Sequence, residues 1–420
     1  MKTIINICCV IVFLFVNLQS VHAESISLDK AMELGILNNP TLKVARARLG
    51  ISDAQILQAS LRINPSLVTD NGVAEKTYRF IGVEQIFELG GKRVKRTKLA
   101  RIKKDVVMSE ISTTLLDIRS NIRTSYIQLY NAQQRLVASQ DILATTTKLS
   151  EVAKKRQLAG DIAVLDVLQA EIIMVKAKND IQKAKLEVNQ SFNALTAYMG
   201  QNLDRNIQLE TPVLLAEFNN AKSMPKEQNE QIVDSFIEQA YSSRPEVKAI
   251  LKNIEAENQR IVVAKANIIP NLKLAVGPDM VLPGGEENNN LNLNVFAVGS
   301  LELPVFNRQQ GIIKEAIAQR QQYEKELEAT KIKITQEVNN AYAGIINNAE
   351  SIRIYEDDLI PRAKDILEKS KLSFLEGKSN ILVSLNSQEA YINTRLGYIQ
   401  TLTEYEKSVS DLERAIGAGQ

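Results

Sequence analysis

The sequence contains no Trp, two Cys and a single His among 420 residues, and only 5% of it is aromatic. Cys8, Cys9 and His22 all precede residue 24. Without residues 1–23 the chain has no thiol and no imidazole, which excludes disulfides, Cys/His metal sites and the usual Ser-His and Cys-His nucleophile systems. We therefore expect no enzyme activity, no catalytic residues, no metal site and no cofactor.

Residues 1–23 have the composition of a secretory signal peptide. Lys2 precedes an almost unbroken apolar run from Ile4 to Val16, and Val21-His22-Ala23 is a small-x-small cleavage sequence. The alternative, an N-terminal membrane anchor, is disfavoured because the run is short for a bilayer span. We expect an exported protein whose mature chain begins near Glu24.

The remaining chain lacks a charge excess and long apolar runs. With 51 basic and 49 acidic side chains, the sequence gives no reason to expect a nucleic-acid partner. No apolar run after residue 23 approaches the roughly 18 residues of a transmembrane helix. An exported chain of this kind is either soluble or crosses an outer membrane with strands.

The mature sequence is a tandem duplication. The matching positions are Pro40 and Pro245, Pro65 and Pro270, Gly160 and Gly377, and Gly200 and Gly417. The offset is larger for the two glycine pairs because the second copy has an insert, Gly277 to Asn290, whose Gly, Pro, Asn and Glu content predicts a loop. The duplication predicts two similar structural units.

Each copy has the same predicted order of elements. A helix comes first (Leu28–Arg62, then Ser235–Asn267), followed by two strands and a very long helix (Lys92–Leu158, then Gln309–Leu375). A lone Gly ends the long helix, because an interior Gly is unfavourable, and a further helix closes the copy. The first long helix has Leu or Ile at every seventh residue from Leu115 to Leu143, with small residues between them, which is coiled-coil spacing.

The strand segments alternate apolar and polar side chains. From Leu291 to Val305 the odd positions are mostly apolar, over a length that can cross a bilayer as a tilted strand. The alternative is a half-buried strand of a soluble sheet. Four strands per chain cannot close a barrel of useful bore, so a membrane role requires several chains, and three would supply about twelve strands.

Several motifs occur in this order along the chain. The first copy contains Leu28-Asp29-Lys30-Ala31, Glu88-Leu89-Gly90-Gly91-Lys92-Arg93 and a hairpin turn that begins at Gly160-Asp161, and the second contains Leu303-Pro304-Val305-Phe306-Asn307 and Gly377. With these motifs the mature chain resembles the TolC-like outer-membrane efflux family. The Glu88 to Arg93 segment is more similar to the cobalt-zinc-cadmium branch than to the multidrug branch.

The resemblance implies a mainly α fold with a small β part. Duplicated helical hairpins would form a trimeric periplasmic α-barrel, with a twelve-stranded outer-membrane β-barrel to which each chain gives four strands. The implied domains are the signal peptide 1–23, a first repeat 24–200 (strands about 64–88, hairpin tip about 160–166), an equatorial linker 201–234, a second repeat 235–417 (strands about 271–306, hairpin tip about 377–386) and a tail 418–420.

The resemblance also implies a function and partners. Such a chain is a passive exit duct in the cell outer membrane, in contact with lipid, and forms a homotrimer. It docks through a periplasmic adaptor onto an energised inner-membrane pump, of the RND type or another. Heavy-metal cations are the candidate substrates of this branch.

Within this family the hairpin tips carry the mechanism. The candidate gate residues are Asp161, Asp166, Val383 and Asn386. The candidate adaptor-docking residues are Gly160, Ile162, Ala163, Gly377, Lys378, Ser379 and Asn380. The second tip has Val383 and Asn386 where acidic side chains often constrict the family's channels, so the acidic gate rests on Asp161 and Asp166. The alternative is that Asp161 caps the following helix and Asp166 is solvated.

Two other functions stay open at this point. A duct for type I protein secretion or multidrug export uses the same fold. A periplasmic helical scaffold would explain the helices without a channel, and it would stay soluble after cell lysis.

Overall fold

The computed structural model describes residues 25–71, 78–205, 207–211, 230–281 and 292–418. The expected signal peptide and most of the expected equatorial linker lie outside these ranges. Among the described residues, no helix has both the length and the apolar composition needed to cross a membrane.

Helices make up most of the described chain. They are α1 (Leu28–Asn38), α2 (Pro40–Ser60), α3 (Lys92–Leu158), α4 (Val164–Met199), α5 (Glu230–Ser243), α6 (Pro245–Asn267), α7 (Gln310–Ile354), α8 (Ile360–Leu375) and α9 (Ile381–Ile416). The strands are β1 (Ser25–Ile26), β2 (Ser66–Asn71), β3 (Tyr78–Phe87), β4 (Gln208–Leu209), β5 (Leu272–Val281) and β6 (Asn292–Leu301).

The first long helix runs from Lys92 to Leu158, as predicted. The single first helix predicted for each copy is wrong, because each is divided in two, before Pro40 and before Pro245. Proline has no N–H to donate to the preceding turn and its ring clashes with that turn's carbonyl, so it begins a new helix instead.

The second long helix is also not continuous. A π-helical turn, Tyr355–Leu359, separates α7 from α8, and the Ile360 N–H donates to the Tyr355 carbonyl. Pro361 cannot donate the next α-helical hydrogen bond, which accounts for the wider turn at this point. The sequence predicts a long helix over Gln309–Leu375 with a kink at Pro361, and the structure has its irregular turn directly before that proline.

Four strands form one antiparallel sheet in the order β2-β3-β5-β6. Ser66 pairs with Glu84, Phe87 pairs with Leu272, and Leu272 pairs with Leu301. The predicted strand continued to Val305, but β6 ends at Leu301, since Pro304 has no N–H for a strand ladder. The chain between β3 and β5 includes the long helix α3, so the two hairpins of the sheet come from the two copies.

The chain divides into two compact units. Unit 1 comprises Met1–Pro40, Asp117–Glu230 and Asn339–Arg414, and unit 2 comprises Thr41–Leu116, Gln231–Val338 and Ala415–Gln420. In unit 1 the predicted seam of α3 is buried at Ile122, Ser125 and Leu129. The hydroxyl of the buried Tyr126 lies 2.8 Å from the carbonyl of Ile26 and 2.7 Å from that of Glu210. It thus contacts the last residue of β1 and the residue that follows its partner strand β4.

Hydrogen bonds at neighbouring positions of the two copies tie the ends of helices within each unit. In unit 1 the Asn39 amide donates to the Tyr198 carbonyl at 2.7 Å. In unit 2 the Ser243 hydroxyl donates to the Ile416 carbonyl at 2.5 Å. The neighbouring Arg244 is 1% exposed and pairs with Glu246 and Glu337 at 2.6 Å and 2.5 Å, so a buried ion pair replaces the first copy's neutral amide.

Candidate functional site

The two hairpin turns of unit 1 have the same backbone geometry. Gly160 and Gly377 have φ of +85° and +74°, the left-handed region that glycine adopts without steric penalty. After Gly160, the Asp161 N–H donates to the Arg156 carbonyl at 2.9 Å. After Gly377, the Lys378 N–H donates to the Ser373 carbonyl at 2.8 Å. Helices α3 and α8 therefore both end in a Schellman motif, which is why one lone Gly per copy marks the turn.

The helices that follow the turns are capped by different side chains. At the start of α4, Ala163 has no side-chain acceptor, and the Asp166 carboxylate accepts the Ala163 N–H at 3.3 Å. At the start of α9, the Asn380 side-chain oxygen accepts the Leu382 N–H at 3.1 Å. The interpretation of Asp161 as the cap and Asp166 as solvated is wrong, because Asp166 makes the capping contact.

A small apolar cluster lies beneath the two turns. It contains Leu149, Ala153, Val167, Ala170, Phe374, Ile381 and Leu385, with Ile162 packed against it. Helices α3, α4, α8 and α9 all contribute to this cluster, so the turns are held together by a shared core. Ile162, predicted as an adaptor-docking residue, is half-buried by this contact.

Arg156 connects the first turn to the second. Its guanidinium donates to the Phe374 carbonyl at 2.6 Å and lies 4.8 Å from the centre of the Phe374 ring. The planar, permanently charged guanidinium suits both a carbonyl and an aromatic face. Sequence reasoning missed this residue, since the two partners lie 218 positions apart and no local pattern joins them.

The carboxylates of the two turns differ in their surroundings. Asp161 lies 3.8 Å from the Arg156 guanidinium, and Glu376 pairs with Lys378 at 2.7 Å. Of the three carboxylates Asp161, Asp166 and Glu376, only Asp166 has no cation within 4 Å among the described residues. Asp166 is thus the candidate gate carboxylate whose charge is least neutralised within one chain.

The other predicted tip residues are mostly exposed. The exposed set is Gly160, Ala163, Gly377, Lys378, Asn380, Val383 and Asn386. Ser379 is half-buried, and its hydroxyl has no hydrogen-bond partner in the described part of the chain. Across the described ranges, no group of three or more His, Cys, Asp or Glu side chains is placed to hold a metal ion.

Helix α4 also presents an apolar stripe that stays exposed among the described residues. Leu165, Leu168, Ile172 and Val175 follow one another at spacings of three and four residues, and Ile172 is 68% exposed. This is the a/d spacing of a coiled coil, which normally faces another helix. The stripe begins directly after the first hairpin turn.

The sequence pattern described as outer membrane efflux protein matches residues 32–201 and 236–418. The chain belongs to this family. The two matched segments correspond to the two copies that the internal duplication indicated. Membership confirms the resemblance drawn from the motifs and makes the chain an outer-membrane efflux channel protein.

Individual relatives agree with this assignment. The cobalt-zinc-cadmium resistance protein CzcC of Cupriavidus metallidurans is 23% identical over 369 residues, which are 87% of this chain and 84% of CzcC. The cation efflux system protein CusC of Escherichia coli K12 is 23% identical over 270 residues, 61% of this chain and 56% of CusC. A crystal structure of CusC superimposes with a TM-score of 0.74 at 18% identity and covers 93% of this chain and 92% of that one. The mainly α fold with a small sheet is therefore confirmed as the fold of these channels.

Proposed function

We propose that this chain is the exit duct of a tripartite system that exports heavy-metal cations across the outer membrane. An inner-membrane pump supplies the energy and a periplasmic adaptor connects the pump to the duct. The observation that carries the proposal is the similarity to CzcC over 87% of the chain, together with the match of both copies to the family. The cation is cargo, and the duct needs no site of its own to bind it.

The four-stranded sheet is the part that we place in the membrane. Its strands β3, β5 and β6 are 10 residues long, which is the length a tilted strand needs to cross a bilayer. The helices then extend into the periplasm, where the hairpin turns are available to other proteins. Residues 1–23 would direct export before they are removed.

A homotrimer is part of the proposal. A single chain leaves the stripe of Leu165, Leu168, Ile172 and Val175 exposed, and burying it against a second copy removes that apolar surface from water. Three chains would also unite three four-stranded sheets in the membrane. This arrangement is tested by measuring the molecular mass of the purified protein in detergent, with and without Ile172→Asp. A charge buried in the α4 stripe should dissociate the assembly.

The substrate is tested in a deletion strain rescued by a plasmid copy of the gene. We expect the deletion to increase sensitivity to zinc, cobalt and cadmium salts, and the plasmid to restore growth. Dyes, detergents and antibiotics form the control panel. Sensitivity to amphiphiles in place of metals would contradict the metal assignment and favour multidrug export, whereas loss of a secreted protein would favour a secretion duct.

The adaptor contact is tested by crosslinking. Because no Cys follows residue 9, a single substitution introduces a unique thiol in the mature chain. Ala163→Cys and Lys378→Cys place that thiol on the exposed turns, and Lys178→Cys on the exposed surface of α4 is the matched control. Crosslinks from the turns and none from the control support docking at the tips. The reverse pattern would contradict it.

A further inference from the structure

The beginning of α3 has a charge pattern that helix formation disfavours. Eight of its first 13 residues, from Lys92 to Lys104, are basic, and the first acidic residue is Asp105. The N-terminal end of a helix carries a partial positive charge, so acidic residues are favoured there and basic residues are not. The helix dipole therefore does not account for the basic residues in the first turn of α3.

Only part of the cluster is used in contacts within the chain. Arg96 pairs with Glu88, Lys104 pairs with Asp53 at 2.6 Å, and the buried Lys92 donates to Asn271 at 2.5 Å. The five others make no ion pair or side-chain hydrogen bond within the described residues. They are Arg93, Lys95, Lys98, Arg101 and Lys103.

The register of the sheet places this cluster at one end of the strands. The start of β2, the end of β3, the start of β5 and the end of β6 lie at the same end of the sheet. All four strands are therefore connected to helices at that end. We count these connections together with the adjoining ends of their elements, which are the first seven residues of α3, the last three of α6, the first two of β5 and the first five of α7. The resulting stretches are residues 61–65, 88–98, 265–273 and 302–314. Together they contain ten basic and two acidic side chains, in a chain whose totals are almost equal.

The opposite sheet end differs in sequence. Residues 72–77, between β2 and β3, and residues 282–291, between β5 and β6, contain three acidic side chains and one basic side chain. The positive charge thus belongs to the helix-connected end and not to the sheet as a whole.

Exposed apolar side chains accompany the basic ones at this end. The set is Leu61, Ile63, Phe87, Leu89, Ile269, Leu301, Leu303, Val305 and Phe306. Phe306 is 92% exposed and Leu303 is 72% exposed, in a segment that directly follows β6. Apolar groups adjoining basic groups match the boundary between the acyl chains and the headgroups of a bilayer.

We infer that Arg62, Arg93, Lys95, Lys98, Lys265 and Arg308, here called the basic collar, bind the phosphates of anionic phospholipids in the leaflet next to this end of the sheet. All six are at least partly exposed. The inference rests on the proposed placement of the sheet in the membrane. Lys98 lies six residues into α3, which is about 9 Å along the helix axis from Lys92. This distance is close to the thickness of the headgroup layer, roughly 6 Å. Lys103 lies about 17 Å along the same axis. Arg101 and Lys103 are left out of the collar because lipid attraction fades within a Debye length of about 8 Å.

The test uses the full mature chain in vesicles of phosphatidylcholine that contain phosphatidylglycerol as a minor component. Spin-labelled lipids of both headgroups report which lipid the protein retains at its surface. We expect a preference for phosphatidylglycerol of roughly threefold at low salt, well below the fivefold per side chain that full surface attraction would give. High salt should reduce it, because the binding is electrostatic.

Two triple variants separate the collar from total charge. Arg93→Gln/Lys95→Gln/Lys98→Gln should lose at least half of the preference. Lys148→Gln/Lys178→Gln/Lys185→Gln removes the same charge from exposed lysines of α3 and α4 outside the connections and should retain it. Circular dichroism and the assembled size of each variant show that it is folded.

Three outcomes would overturn the inference. They are the absence of a lipid preference in the unaltered protein, equal behaviour of the two variants, and a preference that high salt leaves unchanged. If ion conductance is normal while the lipid preference is absent, the collar is wrong and the proposed duct stands. If the protein fails to enter vesicles at all, the placement of the sheet fails instead.

Discussion

The carboxylate of Glu406 is buried next to the guanidinium of Arg123 but does not form a hydrogen bond with it. Arg123 pairs with Glu413, and neither oxygen of the 1%-exposed Glu406 has a hydrogen-bond partner in the described chain. Burial raises the pKa of Glu406 to about 7; the charge of Arg123 opposes the increase and that of Glu413 adds to it. An ionised Glu406 is therefore unfavourable in the folded helices.

We expect Glu406→Gln to remove a pH dependence of stability. The pKa of Glu406 in the folded protein lies above the unfolded value of 4.5, so folding favours the protonated carboxyl. The stability that this protonated form provides is fully present below pH 4.5 and is lost as the pH rises through about 7. The variant should be more stable than the unaltered protein by roughly 2–3 kcal/mol at about pH 8, and nearly equal to it at about pH 4.

Thermal unfolding at both pH values, followed by circular dichroism, measures this difference. Glu404→Gln, which removes an exposed carboxylate of the same helix, controls for the loss of one charge. An equal effect of Glu406→Gln at the two pH values would show that the carboxylate is not the titrating group.

The elements that sequence analysis located correctly are those with strong local signals. The bounds of α3 follow from the absence of Pro and interior Gly between Lys92 and Gly160. The turns follow from lone glycines, since Gly160 and Gly377 are the residues that a left-handed helix end needs. The alternation of side chains indicated the sheet, although β6 stops before the apolar pattern does.

The features that sequence analysis missed depend on contacts between distant residues. Nothing near Arg156 indicates Phe374 as its partner, and nothing near Glu406 distinguishes it from the exposed carboxylates of α9. The breaks before Pro40 and Pro245 had a local signal, but the helical pattern on both sides outweighed it. The tip geometry could therefore be predicted as two turns, but not as two turns joined through one guanidinium.

Replacing Arg156 with Met should loosen the second turn more than the first. The apolar stem is kept, but the hydrogen bond to the Phe374 carbonyl and the contact with its ring are lost, which should cost about 1–3 kcal/mol locally. Hydrogen exchange of the amides of residues 373–381 measures the effect. Lys155→Met, at an exposed neighbouring position, is the control, and equal protection in both variants would contradict the role of Arg156.

Asp166 combines a capping role with the proposed gate role, and two substitutions separate them. Asp166→Asn removes the charge and keeps an oxygen for the Ala163 N–H, whereas Asp166→Ala removes both. If three copies line a constriction, both variants should reduce cation selectivity in single-channel recordings, since a ring of carboxylates favours cations. Only Asp166→Ala should also lose about 1 kcal/mol of stability.

The second copy offers the converse experiment for the gate. Val383 occupies the position equivalent to Asp166, three residues after the residue that precedes α9, and it is 50% exposed. We expect Val383→Asp to increase cation selectivity by adding a second ring of carboxylates. Unchanged selectivity in both Asp166→Asn and Val383→Asp would remove these positions from the gate.

Gly277 allows β5 to lie close to β3 because it has no side chain. A Cβ atom at this position would lie 2.2 Å from the Ile81 carbonyl oxygen and 2.5 Å from the Gly82 Cα, distances that require the backbone to move. Gly277→Ala should therefore separate the two strands and destabilise the sheet by about 1–3 kcal/mol, as overpacking does elsewhere. Because β3 and β5 belong to different copies of the repeat, this change breaks the only pairing between the two hairpins in the described sheet.

Gly299→Ala on β6 is the matched control, since its Cβ would meet only the Leu274 side chain at an ordinary 3.5 Å. The amount of each protein in the outer-membrane fraction measures the effect. A normal amount of Gly277→Ala would mean that the strands can shift to accept the methyl group, and that the close approach is not required for assembly.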